Sequence, residues 1–406
     1  MRSLKELYII GPGPSSSHTI GPFIAATQFK KLIEIYKIDK IVVTLYGSLS
    51  LTGRGHQTDK ILIEALKEYK VQIVFNNTEI KAHPNTLKFS AYSSTHLIEE
   101  RNYASVGGGS IVDIDGKKSN LKEETYPFKS NAEMLAYMET KGYKSYVDLV
   151  NEFEDKTIKE YLKSILSVMF DSVERGLTGV GQVRAGYNLL LDKVAGKIYS
   201  NALTINDQFE RRSMLISSFA YAVLEENASG HLIVTAPTCG SSGVLASNLY
   251  YAYKYNNINI DLIVEGLMVA GVIGNLFKTN ASISGAVHGC QAEIGVATSM
   301  TAAALSHIYG LSLYQIEYAS ELAMEHSLGL TCDPVDGFVA IPCIERNGVA
   351  ALRAYEAYLY AKEISKLRHN SVSLDQIVHT MKITGEALSN DYKETSIGGI
   401  SKAIKK

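Results

Sequence analysis

Two stretches of this 406-residue chain, Ala228 to Tyr253 and Ile294 to Ile316, each run for more than twenty residues without a charged side chain. Segments of that kind must be kept from water, and a bilayer and a protein core are the two places that take them. A spanning helix needs about 20 predominantly apolar residues. Both stretches instead carry Ser, Thr, Gly and His throughout, as in "ASGHLIVTAPTCGSSG" and "TSMTAAALSHIYG". They therefore read as buried core segments, and no membrane partner is expected. With 46% hydrophobic residues and a length that suits two domains, the chain can fill sizeable cores.

The text changes character near residue 130. Before it, "FIAATQFKKLIEIYK" and "TDKILIEALKEY" have helical spacing, while "KIVVTLYGSLSL", "VQIVFN" and "TLKFSAYS" read as strands. The three glycines of "VGGGSIVDIDG" suit a tight turn or bulge. After it, "NAEMLAYMETKGY" and "YLKSILSVMFDSVERGL" have helical length and spacing, with few β-branched runs. The expected fold is an α+β N-terminal domain over residues 1–135, followed by a predominantly α-helical domain over residues 150–406. Forty Lys and Arg balance 42 Asp and Glu, with no basic block that would track a phosphate backbone, so nucleic acid is not expected as a partner. The opening "MRSLKELYIIGPGP" lacks the apolar core of a secretory leader, which places the protein in the cytoplasm.

Four cysteines are too few for a disulfide scaffold in a chain of this size. Cys239, Cys290, Cys332 and Cys343 each stand beside Gly or Pro, in loop or helix-end contexts, and none has the close C-x2-C or H-x3-H neighbour of a zinc ribbon. Buried packing is one reading for each. Iron–sulfur clusters are another, because their thiolate ligands can be spread through a fold. Three thiolates would leave one iron open as a Lewis acid that pulls on a poor leaving group such as hydroxide. Spacing does not choose between these readings.

Ten segments resemble, in order and over almost the whole chain, the single-chain iron–sulfur L-serine dehydratases. They are "GPSSSHTIGP", "LYGSLSLTGRGHQTD", "SVGGG", "YPF", "EENASGHLIVTAPT", "NASISGA", "GCQAEIG", "EHSLGLTCDPV", "IPCIERN" and "YKETSIGG". The pair "TCDPV" and "IPCIERN", with cysteines eleven positions apart, is the most specific of them. The resemblance implies a β-chain-like domain, related to allosteric substrate-binding domains, joined to a helical α-chain-like catalytic domain. It implies a 4Fe-4S cluster on Cys290, Cys332 and Cys343, with Cys239 lining the site or packed beneath it. It also implies conversion of L-serine to pyruvate and ammonia, and assembly as a homo-oligomer such as a dimer. This chain departs from the family at Gln57 and Asp336, where Gly is usual, and at Val287-His288, where Glu-Val is common. It has no cysteine after Cys343, whereas some relatives end in one.

Removing an α-proton beside a carboxylate calls for a base near neutral pKa, and His suits that range. His18 in "SSSHT" and His56 in "GRGHQTD" are the candidates, both in Gly-flanked turns rather than on apolar helix faces. Ser15, Ser16, Ser17 and Thr19 are expected to bind the substrate carboxylate at a helix start, although an ordinary cap uses the same residues. Thr52, Arg54 and Asp59 are nearby and are left outside the catalytic set. Since the histidines and cysteines fall in different parts of the chain, the site is expected at a domain interface. The rival readings are the same lyase chemistry on L-threonine or L-cysteine, and a non-catalytic amino-acid sensor. A pyridoxal-phosphate lyase is a third, but no Lys stands in a recognisable cofactor context.

Overall fold

The computed structural model describes residues 1–79, 81–115 and 124–404, and it has the mixed α/β first part and the mainly helical second part. The first part runs through β1 (Ile10–Pro12), one wide helical turn (Ser16–Ile20), α1 (Gly21–Ile33), β2 (Lys40–Tyr46), α2 (Gly47–Thr52), α3 (Thr58–Ala65), β3 (Lys70–Asn76), β4 (Thr86–Ser93), β5 (His96–Gly107) and β6 (Ser110–Asp113). Strands β2 to β6 form one sheet in the order β3-β2-β4-β5-β6. Only β2 and β3 run parallel, with Ile41 opposite Val71 and Val43 opposite Ile73. Alternate residues of β2, Ile41, Val43 and Leu45, are buried in one core with Phe29 and Ile33 of α1 and Leu87 and Phe89 of β4. That is the period-two pattern of a strand with one face packed.

One local expectation changes. "GSLSL", which reads as the end of a strand, is helix α2. The chain turns out of β2 at Gly47, whose φ is +52° and where a Cβ would stand 2.4 Å from the Pro84 carbonyl oxygen. Glycine alone takes that backbone without strain. The turn sets Ser48 and Thr52 beyond the end of β2.

The second part contains α4 (Asn131–Lys141), α5 (Tyr146–Phe153), α6 (Ile158–Thr178), the hairpin β7 (Gln182–Gly186) and β8 (Leu189–Asp192), α7 (Ala195–Ala202), α8 (Gln208–Ala228), β9 (Leu232–Val234), α9 (Ser242–Tyr255), α10 (Ile260–Asn280), α11 (Gly285–His288), α12 (Ile294–Ile308), α13 (Leu313–Glu325), α14 (Cys343–Ile364), α15 (Leu374–Ala387) and α16 (Gly399–Ile404). Reciprocal Ser caps start α5, α13 and α15 at Ser145, Ser312 and Ser373. The uncharged stretches supply α9 and α12, whose residues are almost all buried. Among the described residues, α10 is the one helix long and apolar enough to cross a membrane, and 78% of its apolar window is buried inside the protein. It is a core helix here.

The two parts are laced together. Leu4, Leu7 and Tyr8 belong to the helical core, Tyr8 Oη donates to the Leu267 carbonyl at 2.9 Å, and β1 pairs antiparallel with β9. The segment "GPGPSSSHTIGP" therefore leaves the helical core and enters the sheet part, which puts His18 on the seam. Gly55 lies on the same seam, against the backbone of Asp336 and Gly337.

Candidate active site

The helical turn that carries His18 is built by Ser15, whose Oγ accepts from the His18 N–H (3.2 Å) and whose carbonyl accepts from Thr19 and Ile20. α1 follows at once, with Pro22 in its first turn where no donor is lost. The loop after α2 carries His56. Two hydroxyls tie the turns together: Thr58 Oγ1 donates to the His18 carbonyl (2.6 Å), and Thr19 Oγ1 donates to the His56 carbonyl (2.9 Å). The two imidazoles stack with centroids 4.3 Å apart and planes 27° from parallel, both fully buried.

Hydrogen-bond partners fix the tautomers. His56 Nδ1 lies 3.1 Å from the Thr52 carbonyl, which only accepts, so Nδ1 carries the proton and Nε2 is a lone pair. Ser48 Oγ donates its one proton to the Glu394 carbonyl (2.6 Å) and so accepts from His18 Nε2 (3.0 Å). That leaves His18 Nδ1 to accept from Ser17 Oγ (2.9 Å). Both unprotonated nitrogens, His18 Nδ1 and His56 Nε2, stand 3.5 Å from Glu394 Oε1. Burial, followed by the neighbouring His56, holds the His18 pKa well below the usual range, and burial pushes His56 down to about 4. Burial, with the charges of Glu293 and Cys290, pushes Glu394 well above the carboxylate range. The three groups thus form a neutral set. Within it His56 Nε2 and Glu394 Oε2 make no hydrogen bond among the described residues.

Glu394 reaches the histidines from the far end of the chain. Its N–H donates to the Cys332 carbonyl (2.7 Å), and the Cys332 N–H donates to the Tyr392 carbonyl (2.8 Å). Ser396 Oγ donates to the Pro334 carbonyl (2.6 Å), and the Ile400 N–H donates to Asp333 Oδ2 (2.7 Å). The "YKETSIGG" segment is therefore laid along the "TCDPV" loop. Arg346, three residues into α14 from Cys343, donates to the Thr331 carbonyl (2.5 Å) and to Asp333 Oδ1 (3.2 Å), holding the other side of that loop.

The thiols lie beyond Glu394. Cys290 follows Gly289, whose φ of +74° and 2.8 Å approach to the Leu330 carbonyl exclude a side chain. Cys343 begins α14, where the helix N-terminus favours a thiolate. A hydrogen bond from Cys332 and the nearby Arg346 guanidinium bring Cys290 down to about 6. The donating Cys332 is held up, and Cys343 is raised by burial and by the charge of Cys290. Burial, followed by Cys290, pushes Glu293 up to about 8, and Cys332 Sγ is 3.9 Å from Glu293 Oε2. Cys239, fully buried in the turn before α9, is raised by burial and then by Glu293. A Cβ on Gly285 would stand 2.9 Å from Cys332 Sγ and 2.8 Å from Glu293 Oε2, so the bare backbone keeps the space beside that sulfur clear. Two buried thiols and a partly buried one, all acting on the charge of the Arg346 guanidinium, offer donors that suit a thiophilic metal centre. His18, His56 and Glu394 offer ligand atoms within 4.8 Å of one another, a second set that could hold a cation.

The structure brings His18 and His56 together and sets Cys290, Cys332 and Cys343 near enough to Arg346 for their charges to act on its guanidinium. The hydroxyls of Ser15, Ser17 and Thr19 are engaged in holding the two turns, and Ser16 is buried beside them. Thr52 anchors His56 through its carbonyl, while Arg54 stacks on Phe75 at 4.4 Å. Gln57 and Asp336, the two departures from glycine, both have left-handed backbone (φ 58° and 51°), which explains why glycine suits those positions. Ser48, Glu293, Arg346 and Glu394 are site residues that the sequence reading did not single out. All four lie in segments that carry the family resemblance, and Arg346 has a further signal in its spacing of one turn from Cys343.

Residues 65–401 match the family described as serine dehydratase alpha chain, and residues 3–74 match the serine dehydratase beta chain. The chain is 37% identical to L-serine dehydratase 1 of Escherichia coli (strain K12), with 99% of each chain covered. It is 36% identical to an L-serine dehydratase of Helicobacter pylori, again over 99% of each, and 37% identical to one of Streptomyces coelicolor over 98% of each.

Proposed function

The chain belongs to the serine dehydratase family, a family of lyases, with the alpha-chain and beta-chain parts in one polypeptide, and from that premise we propose that it converts L-serine to pyruvate and ammonia. In this reading Cys290, Cys332 and Cys343 hold a 4Fe-4S cluster. The fit rests on the buried thiols of Cys290 and Cys332 and the partly buried one of Cys343, on the Arg346 guanidinium that offsets their charge, and on the clear space that Gly285 leaves beside Cys332. When bound, the cluster supplies a Lewis-acidic iron for the departing hydroxide.

The chain's own residues do the rest. The observation that carries the assignment is the lone pair of His56 Nε2, buried, neutral and without a hydrogen bond among the described residues, with Glu394 Oε1 3.5 Å away. His18 Nδ1 already accepts from Ser17, so His56 is the base that takes the α-proton and His18 the ring that supports it. The α-carbon electron pair forms the Cα–Cβ double bond as the Cβ–O bond breaks. The enamine so formed tautomerises to an imine, which water hydrolyses to pyruvate and ammonia. Ser15, Ser16, Ser17 and Thr19 form the proposed substrate-binding turn, in which Ser15 and Ser16 are left to donate to the carboxylate while Ser17 and Thr19 give their hydroxyl protons to His18 and to the His56 carbonyl.

The test is pyruvate formation from L-serine by anaerobically reconstituted protein, with L-threonine and L-cysteine as comparisons and with iron and sulfide analysis alongside. The expected result is turnover that requires iron and is fastest on L-serine. Iron-free protein with full activity, or iron-loaded protein with none, overturns the reading.

A further inference from the structure

Arg346 lies in the first turn of α14, three residues beyond Cys343 and on the same face, and its guanidinium reaches across to the loop that carries Cys332. Nη1 donates to the Thr331 carbonyl (2.5 Å) and Nη2 to Asp333 Oδ1 (3.2 Å), so its two arms grip the residues on either side of Cys332. The ion pair is withdrawn from water, with side chains 17% and 2% exposed. Asp333 is fixed in turn, because Oδ1 also accepts from Thr331 Oγ1 (3.1 Å) and Oδ2 accepts from the Ile400 N–H (2.7 Å).

The backbone of Cys332 itself is pinned from the opposite direction. Its N–H donates to the Tyr392 carbonyl and its carbonyl accepts from the Glu394 N–H. Cys332 is therefore held by the tail through its own peptide groups and by α14 through its two neighbours. Only a planar fork supplies two donors in those two directions at once; a Lys ammonium keeps the charge but not the grip. Burial opposes the Arg346 charge, while Cys290, Cys343, Asp333 and Cys332 favour it, so all three thiols lie within its field.

We propose that Arg346 is a positioning residue for the thiols: its grip on Thr331 and Asp333 holds Cys332 in register with Cys343, and the bound iron centre is retained because of it. This rests on the reading that Cys290, Cys332 and Cys343 hold iron. Groups that orient a ligand typically change metal retention by about 10- to 100-fold.

The test needs no turnover. Wild type, Arg346→Lys, Arg346→Gln, Asp333→Asn and the Arg346→Gln/Asp333→Asn double variant are reconstituted anaerobically, and an iron chelator is added while the visible absorption of the cluster is followed. Arg346→Gln should release iron about 10- to 100-fold faster than wild type, with Arg346→Lys in between. Asp333→Asn should speed release as well, and in the double variant the second change should add little, because both remove the same grip. Release from Arg346→Gln within about twofold of wild type overturns the proposal. Rates that simply multiply in the double variant overturn it too, since they report general destabilisation. If Arg346→Gln fails to fold or to load, Arg346→Lys decides by the same twofold criterion. A wild type that takes up no iron brings down the reading and this proposal together, whereas iron held equally by every variant overturns this proposal alone.

Discussion

Gly55→Ala probes the seam that assembles the site. At Gly55 an added Cβ would stand 2.5 Å from the Asp336 carbonyl oxygen and 2.6 and 2.8 Å from the carbonyl carbon and oxygen of Gly337, where ordinary contact begins at 3.4 Å. The shortfall is close to 1 Å, and all three atoms are backbone, so no side chain can rotate away. Gly55 does not have left-handed backbone, so the substitution adds no conformational strain and tests the contact alone. The "GRGHQTD" loop must therefore part from the Val335–Gly337 turn, carrying His56 with it. Overpacking of this kind costs about 1–3 kcal/mol. A displacement of about 1 Å in a reacting group can cost on the order of 100-fold in rate.

The expected outcome is a fall in kcat/KM for L-serine of about 100-fold, with a Tm lower by only a few degrees, because 1 kcal/mol moves the Tm of a long chain by about 2–4 °C. The assay is pyruvate formation by wild-type and variant protein reconstituted alike, with iron content and calorimetry determined on the same samples. Turnover within about twofold of wild type would refute the idea that His56 is positioned by this contact. Loss of activity in strict proportion to lost iron would refute it too, since the damage would then lie at the thiols.

His56→Gln should lower turnover by at least about 100-fold with iron content unchanged, whereas His18→Gln should retain more activity, and steady-state kinetics distinguish them. Because burial brings His56 from 6.5 to about 4, the unfolded chain takes up a proton that the folded protein refuses. The stability this contributes is fully present above pH 6.5 and is lost as pH falls toward 4, at about 1.4 kcal/mol per pH unit. Calorimetry from pH 7 to 4 should show a steeper fall for wild type than for His56→Gln. Cys332→Ala should abolish both iron binding and activity, while Cys239→Ala should keep the iron, as metal analysis would report. Gln57→Gly relieves left-handed strain of about 1–2 kcal/mol against a backbone-entropy cost of about 0.5–1 kcal/mol, so its Tm should rise slightly.

Much of the fold could be read from the residues because the signals were long. Two charge-free stretches became the buried helices α9 and α12, and the change of text near residue 130 separates a sheet from a helical core. The misread segment was short: "GSLSL" has strand-like residues, and only the approach of Pro84 to Gly47, nearly forty residues apart in sequence, turns it into a helix. Context and spacing left packing and ligation both open for the cysteines, and only the family resemblance singled out Cys290, Cys332 and Cys343. Glu394 was not singled out. A lone Glu in a polar tail usually faces water, and its burial depends on hydrogen bonds to Cys332, Pro334 and Asp333 that no local pattern encodes.

Sequence left the choice between His18 and His56 open because both sit in Gly-flanked turns with hydroxyls nearby. Hydrogen-bond accounting separates them. Ser48 has one proton, and the Glu394 carbonyl takes it, so His18 must donate from Nε2 and accept at Nδ1 from Ser17. His56 gives its proton to the Thr52 carbonyl and keeps an unused lone pair. The serines of "GPSSSHT" then have a first role independent of substrate, since Ser15 and Ser17 set the conformation and tautomer of His18, on which the His56 ring stacks. A Ser17→Ala variant frees His18 Nδ1 and makes the two rings alike. If His56 is the base because its lone pair is the only free one, that variant should make His56→Gln less damaging than it is in the wild-type background, a double-mutant coupling that a purely structural serine would not produce.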